Sequence, residues 1–453
     1  MMTSIVEKTE NIAANWDDYL LELVQQFESK RAAMGVDFLE TLRENATHRV
    51  TQVPLPTSKN EEWKFTDLSE LYKLKFDPRP KSTTVLSDTL SPFILTEAKN
   101  SRLTFVNGEF APELSNLSNI PKGVYIGNMM GLAPEKRKEV VNYLAKHDGA
   151  KDVFTLMNTA DMYQIAIVWV DPGTVVDIPI HLLFLAVATN SHSLIQPRVL
   201  IVAERDSSLQ LVEHYGAVSE QCPDFGQGGS YFTNTVTEMW VKDNAQVNHT
   251  RIQRELGDSF HIGKTAIAQS QDSRYTCNEI NLGAKLSRHN LEIFQHGKQT
   301  ETYLHGLTMV GEEQVADTHS SVFLNHSYGI SHQLHKCIID DQARGVFNGK
   351  IFVPKAAQLT NATQLNRNLL LSPKARINTK PELQITADNV KCSHGATISQ
   401  LESDELFYLR SRGLTQSDAR NLLIDAFATE ILDKIPIESL RKRLSQCVAC
   451  RTL

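Results

Sequence analysis

The chain has 453 residues, with 46 Lys and Arg against 53 Asp and Glu, for a formal net charge of −7. That length carries about two or three compact units, or one elongated repetitive core with appendages. A mildly acidic chain without Lys/Arg clusters gives no footing for nucleic acid or an anionic membrane surface as partner, and its longest apolar runs, residues 165–170 and 182–187, are far too short to span a bilayer.

Residues 1–11 carry two glutamates and no apolar stretch, so neither a secretory signal nor an Arg-rich transit peptide is expected. Cysteines at 222, 277, 337, 392, 447 and 450 are too dispersed for a compact disulfide framework and read as reduced thiols. A bacterial cytosol is the expected setting, and a plastid stroma would suit the same composition.

The N-terminal zone is helical in pattern. Trp16, Tyr19, Leu20, Leu23 and Phe27 fall on one stripe of an α-helix. Leu39, Leu42 and Ala46 begin a second helix that Pro54 and Pro56 end. The run from Glu61 to Leu71 predicts a third.

From about Leu103 the period changes to two. Segments 165–170, 209–212, 236–241 and 291–294 read as short strands. Turn signals at Asp243-Asn244, Gly257-Asp258, Asp272, Gly283, Gly297, Gly311 and Asp340-Asp341 recur on the order of every 14 residues. One helix interrupts, with Pro134 at its first position and residues 135–146 following. So many short strands leave a sandwich, a barrel or a β-solenoid. Polar residues on both faces, as in 360–368, favour the solenoid, whose coils can ladder polar side chains.

Helical period returns after Thr397. Residues 401–412 end at Gly413, a suitable C′ residue, and Thr415 with Asp418 makes an N-cap pair. Leu422, Leu423, Ala426, Phe427 and Ile431 are the expected buried stripe. A last basic helix covers 437–444. The expected organisation is a helical domain over 1–97, a β core over 98–396 with a helical insertion near 134–147, and a helical domain over 397–453.

Self-contained catalytic machinery is hard to find. Gly263-Lys264-Thr265 resembles the end of a phosphate-binding loop, but Asp258 stands where that loop requires glycine, and Lys264 reads better as a lysine at a strand edge. Gly-x-Ser-x-Gly and His-Glu-x-x-His are absent. His332 and His335 are three apart and face opposite sides of a strand. His335 shares a face with Cys337, but two ligands are not a site; these residues, with His319 and His326, read as laddered or buried polar groups. Cys447 and Cys450 close the chain as an incidental exposed pair, lacking the second pair a zinc knuckle needs. Cys392 and His394 are two apart, so an extended strand projects a soft thiol and an imidazole from one face, ligand types that suit iron or sulfide-bridged clusters. Spacing equally accommodates a buried cysteine beside a hydrogen-bonded histidine.

Lys391-Cys392-Ser393-His394-Gly395-Ala396-Thr397, followed by Leu406-Phe407-Tyr408-Leu409-Arg410-Ser411-Arg412-Gly413, closely resembles the C-terminal signature of the SufB/SufD family on its SufD side. Gly345-Val346-Phe347-Asn348-Gly349-Lys350, the block from Ala357 to Ser372, Pro381-Glu382-Leu383 and Asn60-Glu61-Glu62-Trp63-Lys64-Phe65-Thr66 resemble further family blocks. One departure is Gln333-Leu334-His335-Lys336, where the family has Gln-x-Tyr-Lys.

The resemblance implies a right-handed parallel β-helix flanked by N- and C-terminal helical domains. It implies a non-enzymatic scaffold of the SUF machinery for iron–sulfur cluster assembly, with two partners. One is a SufB-type paralogue at the β-helix end; the other is a SufC-type ATPase on the C-terminal helices, which would supply the nucleotide hydrolysis. The same end leaves self-pairing of an isolated chain open. No stably bound cofactor is expected. His394, with Cys392 beside it, is the implied cofactor-binding site, shared with SufB, for transient iron or a nascent cluster; His394 is the implied iron ligand, and the resemblance leaves open whether Cys392 ligates or only lines the site. Two other readings compete. A SufB-like paralogue would bind a cluster itself, but Ser393 and Gly395 replace the carboxylates of the SufB-like Glu-His-Glu-Ala-Thr pattern. A polysaccharide-active β-helix enzyme would show paired carboxylates in a groove.

Overall fold

A computed structural model of the chain describes residues 16, 18–29, 39–78, 85–149, 151–188, 191–218 and 229–451. The N-terminal residues 1–11 and Cys222 lie outside them.

Residues 18–29 are helical, and Trp16, Tyr19, Leu20, Leu23 and Phe27 are all buried, as their spacing predicts. The second helix, Glu40–Val50, buries Ala46 and Val50. The third differs from expectation. Only a single 3₁₀ turn, Glu61–Trp63, and a four-residue helix, Ser69–Tyr72, form there. The intervening chain is held by tertiary contacts instead: Thr66 bonds Asp317, and the Glu62 carbonyl accepts from Arg288. Those partners outweigh a weak local helical preference.

The β zone starts with a hairpin, Arg102–Val106 to Glu109–Phe110, turned by Asn107-Gly108 with both φ angles positive. Helix Pro134–Val141 is shorter than predicted. A second helix, Val153–Ala160, was not foreseen; Asp152 caps it by accepting from the Thr155 N–H. Thereafter strands alternate between two parallel sheets. One sheet takes Ser208–Val218, Gln246–Arg254, Arg274–Asn281, Glu301–Val310, Ile330–Ile339, Asn361–Leu370 and Lys391–Ser399. The other takes Tyr231–Val241, Phe260–Gln269, Leu286–Gln295, Val315–Phe323, Arg344–Val353 and Arg376–Ile385. The core is a parallel β-solenoid, and the recurring turn interval is half a coil.

One corner shows why the coils stack in register. Asp206, Asn244, Asp272, Gln299, Tyr328 and Leu359 all have φ near +60°. Each donates its N–H to the next coil: Asn244 to Gln271 O, Asp272 to Lys298 O, Leu359 to Asn389 O. Asp and Asn tolerate this left-handed conformation at low cost.

The C-terminal helices are Ser403–Ser411, Gln416–Leu432 and Glu438–Arg451, the last longer than predicted. Gly413 has φ +97°, and Thr415 Oγ1 accepts from Asp418 N at 3.1 Å. The expected stripe on Gln416–Leu432 requires correction. Of that stripe Ile431 is buried and Phe427 packs partly buried against the same cluster, but Leu422 and Ala426 are exposed. Ala419, Ile424, Ala428 and Leu432 are the other buried positions, and Ile424, Ala428, Ile431 and Leu432 pack on Val212, Ile252, Ile280, Leu307, Ile338 and Leu369 of the sheet.

Candidate functional site

The final coil sets the site. Among the described residues, strand Arg376–Ile385 pairs only with Arg344–Val353, and Lys391–Ser399 only with Asn361–Leu370. Both therefore present an open row of backbone N–H and C=O groups. One coil earlier, Ala362, Gln364, Asn366 and Asn368 face the interior and are buried. Register places Cys392 against Ala362, His394 against Gln364 and Ala396 against Asn366. Cys392 and His394 thus occupy the inward register together, and cover fades because no further coil of the described residues lies beyond. Cys392 is half-buried and touches the core, whereas His394 is exposed. Burial pushes the Cys392 thiol up, partly opposed by a backbone hydrogen bond at Ala362, which favours the protonated thiol in the chain by itself.

Among the described residues, no group of three or more His, Cys, Asp or Glu is placed to hold a metal ion. This end offers one thiol and one imidazole; a tetrahedral iron or a cluster edge needs about two further donors from elsewhere.

The other singled-out residues are not brought together. His332 bonds Thr363, His335 bonds Thr308, and His319 pairs with Asp317. Burial pushes the Cys337 thiol up to about 12, which leaves it inert. Lys264 is not at a strand edge. It lies on Phe260–Gln269, paired on both sides, and is buried between Asp152 at 3.4 Å and Glu292 at 3.0 Å. A lysine committed to two carboxylates has no phosphate to hold. Cys447 and Cys450 are not an exposed pair, because Cys447 is buried on the sheet-facing side of the last helix while Cys450 is exposed.

A second feature escaped the sequence reading. Glu213, Arg251, Glu279, Gly306, His335, Asn366 and Ala396 stack coil on coil along one interior row. Around it, His289 Nδ1 lies 2.7 Å from Glu279, His261 Nδ1 lies 2.6 Å from Glu255, and Tyr215 donates to Glu213 at 2.6 Å. Burial by itself would raise the carboxyls of Glu213 and Glu279. His249 and Arg251 hold Glu213 down to about 2, and His289 and Arg251 do the same for Glu279. The signal available in sequence was charge at inward positions one coil apart, legible only once the coil length is known.

Comparison with known proteins follows this geometry. Residues 185–427 match the family described as SUF system FeS cluster assembly, SufBD core domain, and residues 14–182 match the SufBD protein N-terminal region. An iron–sulfur cluster assembly SufBD family protein of Synechocystis is 53% identical over 91% of this chain and 90% of its own length. A chloroplastic protein of Arabidopsis thaliana is 34% identical over 94% and 89%, and the iron–sulfur cluster assembly protein SufD of Escherichia coli is 28% identical over 86% and 88%. With both family regions matched in order along a solenoid flanked by helices, this chain belongs to the SufBD family of the SUF iron–sulfur cluster assembly system.

Proposed function

We propose that this chain is a SufD-type, non-catalytic scaffold subunit. It pairs through the open end of its solenoid with a SufB-type paralogue and carries a SufC-type ATPase on its C-terminal helices. The iron–sulfur cluster is cargo assembled at the shared end, not a resident cofactor. The observation that carries this reading is the coincidence of an unpaired strand edge with two soft donors, Cys392 and His394, in its inward register. A second chain continuing the sheet would satisfy the open backbone groups and complete the ligand set in one step. Ser393 and Gly395 bring no carboxylate beside His394, which argues against a self-contained cluster site.

The C-terminal helices support the second contact. Helix Ser403–Ser411 buries none of its residues, with Phe407 73% and Tyr408 58% exposed, and Leu422 on the next helix is 48% exposed. Large apolar side chains left in water on neighbouring helices are what a protein partner covers.

Mixing the purified chain with SufB-type and SufC-type proteins tests the proposal. A stable complex on gel filtration is expected, with ATP hydrolysis only where the SufC-type subunit is present. A chain that joins neither partner, or that hydrolyses ATP by itself, overturns it.

A further inference from the structure

At the open end of the solenoid the two strand edges are not equivalent. Along a strand, successive backbone N–H groups point to opposite sides. Arg376 donates its N–H to Ala343 O, so on strand Arg376–Ile385 the even-numbered residues bond the coil before. The N–H groups of Ile377, Thr379, Leu383 and Ile385 face the open side, and Pro381, in the middle of that row, has none. Lys391 donates its N–H to Thr360 O, so on strand Lys391–Ser399 the odd-numbered residues bond the coil before. Cys392, His394, Ala396 and Ile398 therefore turn their N–H groups to the open side, and that row holds no proline.

A proline inside a strand removes a ladder hydrogen bond and puts its ring where the next strand would lie. It is therefore confined to edge strands, with its nitrogen turned away from the paired neighbour. Pro381 meets that condition, and its ladder with Arg344–Val353 loses nothing. Lys380 and Glu382 flank it, and Lys380 is held 3.0 Å from Glu61 of the N-terminal segment. Proline with flanking charges is how natural sheets keep an edge from taking another strand. Strand Lys391–Ser399 has no such guard: among Lys, Arg, Asp and Glu it carries only Lys391, at its start.

The terminal coil is also basic. Lys374, Arg376, Lys380 and Lys391 stand against Glu382 and Asp388, in a chain whose net charge is −7. Two copies set end to end would oppose like charges, whereas a partner with carboxylates at its own end is attracted. Ile385 and Ile398, in the inward register, are 37% and 54% exposed, so the occupant covers the whole end although its hydrogen bonds lie along one strand. We propose that the SufB-type partner adds its strand to Lys391–Ser399 alone, and that Arg376–Ile385 stays an edge strand in the assembly, guarded by Pro381. This rests on the pairing proposed above and specifies it. The residues whose backbone takes the partner strand include Cys392 and His394, so the pairing itself sets how far their side chains lie from donors of the partner.

Amide hydrogen exchange on the full chain, alone and mixed with SufB-type and SufC-type proteins, tests the proposal. In the complex the amides of residues 392–398 should exchange at least about tenfold more slowly, and those of residues 377–385 at an unchanged rate. Ala396→Pro removes one outward N–H and no bond of the internal ladder. It should leave the Tm of the chain unchanged and weaken pairing with the SufB-type protein at least about tenfold. Pro381→Ala restores the missing N–H and should leave that affinity unchanged. Should Ala396→Pro lower the Tm, exchange in the unaltered complex decides alone. Absence of any complex removes the pairing itself, and this assignment with it. A complex that slows both strands equally, or that Pro381→Ala tightens, leaves the pairing standing and overturns the choice of one edge. The same protection in the chain alone would make a second copy the occupant, which also overturns the proposal.

Discussion

Arg288 sits over the ring of Trp63, 3.7 Å from its centroid, and so ties the N-terminal Asn60–Thr66 motif to the outer face of the solenoid. The same guanidinium donates from Nη1 to Glu62 O and to Asp317 Oδ2, both at 2.7 Å. Thr66 closes the cluster on Asp317. Asp317→Ala leaves the Arg288 side chain, 3% exposed, without its counter-charge. The expected cost is about 3–5 kcal/mol, read as a lower urea midpoint at unchanged slope, with Asp317→Asn losing less. A neutral outcome for Asp317→Ala would mean that the motif is not held by this ion pair.

Gly306 is in the interior row because nothing larger fits against His335. A Cβ there would lie 2.0 Å from His335 Nδ1. Gly306→Ala should destabilise the fold by about 1–3 kcal/mol. The cost should shrink in the Gly306→Ala/His335→Ala double variant, where the methyl group enters vacated space. Thermal unfolding of the four-member cycle measures the coupling, and strict additivity would contradict the packing argument.

Acid should destabilise this chain from near neutrality downward. Burial holds His335 to about 4, His305 to about 4 and His214 to about 3, against 6.5 for an ordinary histidine. In the unfolded chain these rings take up protons as pH falls below 6.5, while the folded chain resists until 4 or lower. Their stabilisation is complete above 6.5 and is lost as pH falls towards 4. Glu213 and Glu279, held at about 2 against 4.5, add a further loss between 4.5 and 2. Urea midpoints should be flat between about pH 7 and 9 and should fall steadily below that range. His335→Gln should remove part of the slope between 6.5 and 4, up to about 3 kcal/mol in total. Midpoints that rise on acidification to pH 5 would refute this account.

On helix Gln416–Leu432, Arg420 and Leu422 should separate folding from partner binding. Arg420 donates to Asp340 Oδ2 of the solenoid at 2.8 Å. Reversing its charge therefore tests how the helix is seated, not a partner contact. Leu422 is exposed, and Leu422→Asp should change stability by no more than about 0.5 kcal/mol. If the helix docks the ATPase, the same change should weaken that complex about tenfold or more, as loss of a buried apolar anchor does. Unfolding curves and binding titrations on both variants, with unchanged affinity for Leu422→Asp, would place docking elsewhere.

His394→Ala bears on the proposed cargo site. The side chain is exposed at the solenoid end, so its removal should leave the Tm of the chain unchanged and the complex with SufB-type and SufC-type partners intact. Iron and sulfide recovered with that complex should fall, typically by about tenfold or more when a ligand is lost. Cys392→Ser should match it if the thiol ligates, and should be milder if it only lines the end. A well-folded His394→Ala complex with full cluster yield would end the ligand assignment.

The sequence by itself determined the features that depend on neighbouring residues. Period-two strands, left-handed corners at Asn244 and Asp272, the Thr415 cap and the Gly413 terminus are all set by side chains within a few residues of one another. The same local logic makes Cys392 and His394, two apart on an extended strand, co-facial. Only the tertiary structure decided which faces were buried and which distant residues met. Leu422, Leu423 and Ile424 are consecutive apolar residues, so two stripes that share Ile431 satisfy the helical period, and contact with the sheet chose the one through Ile424, Ala428 and Leu432. Residues 61–71 lost their predicted helix to Arg288 and Asp317, far along the chain. Glu213, Arg251 and Glu279 became neighbours because parallel coils align residues one full coil apart. That alignment follows from the sum of corner and strand lengths around each coil, a long-range quantity that no local pattern encodes.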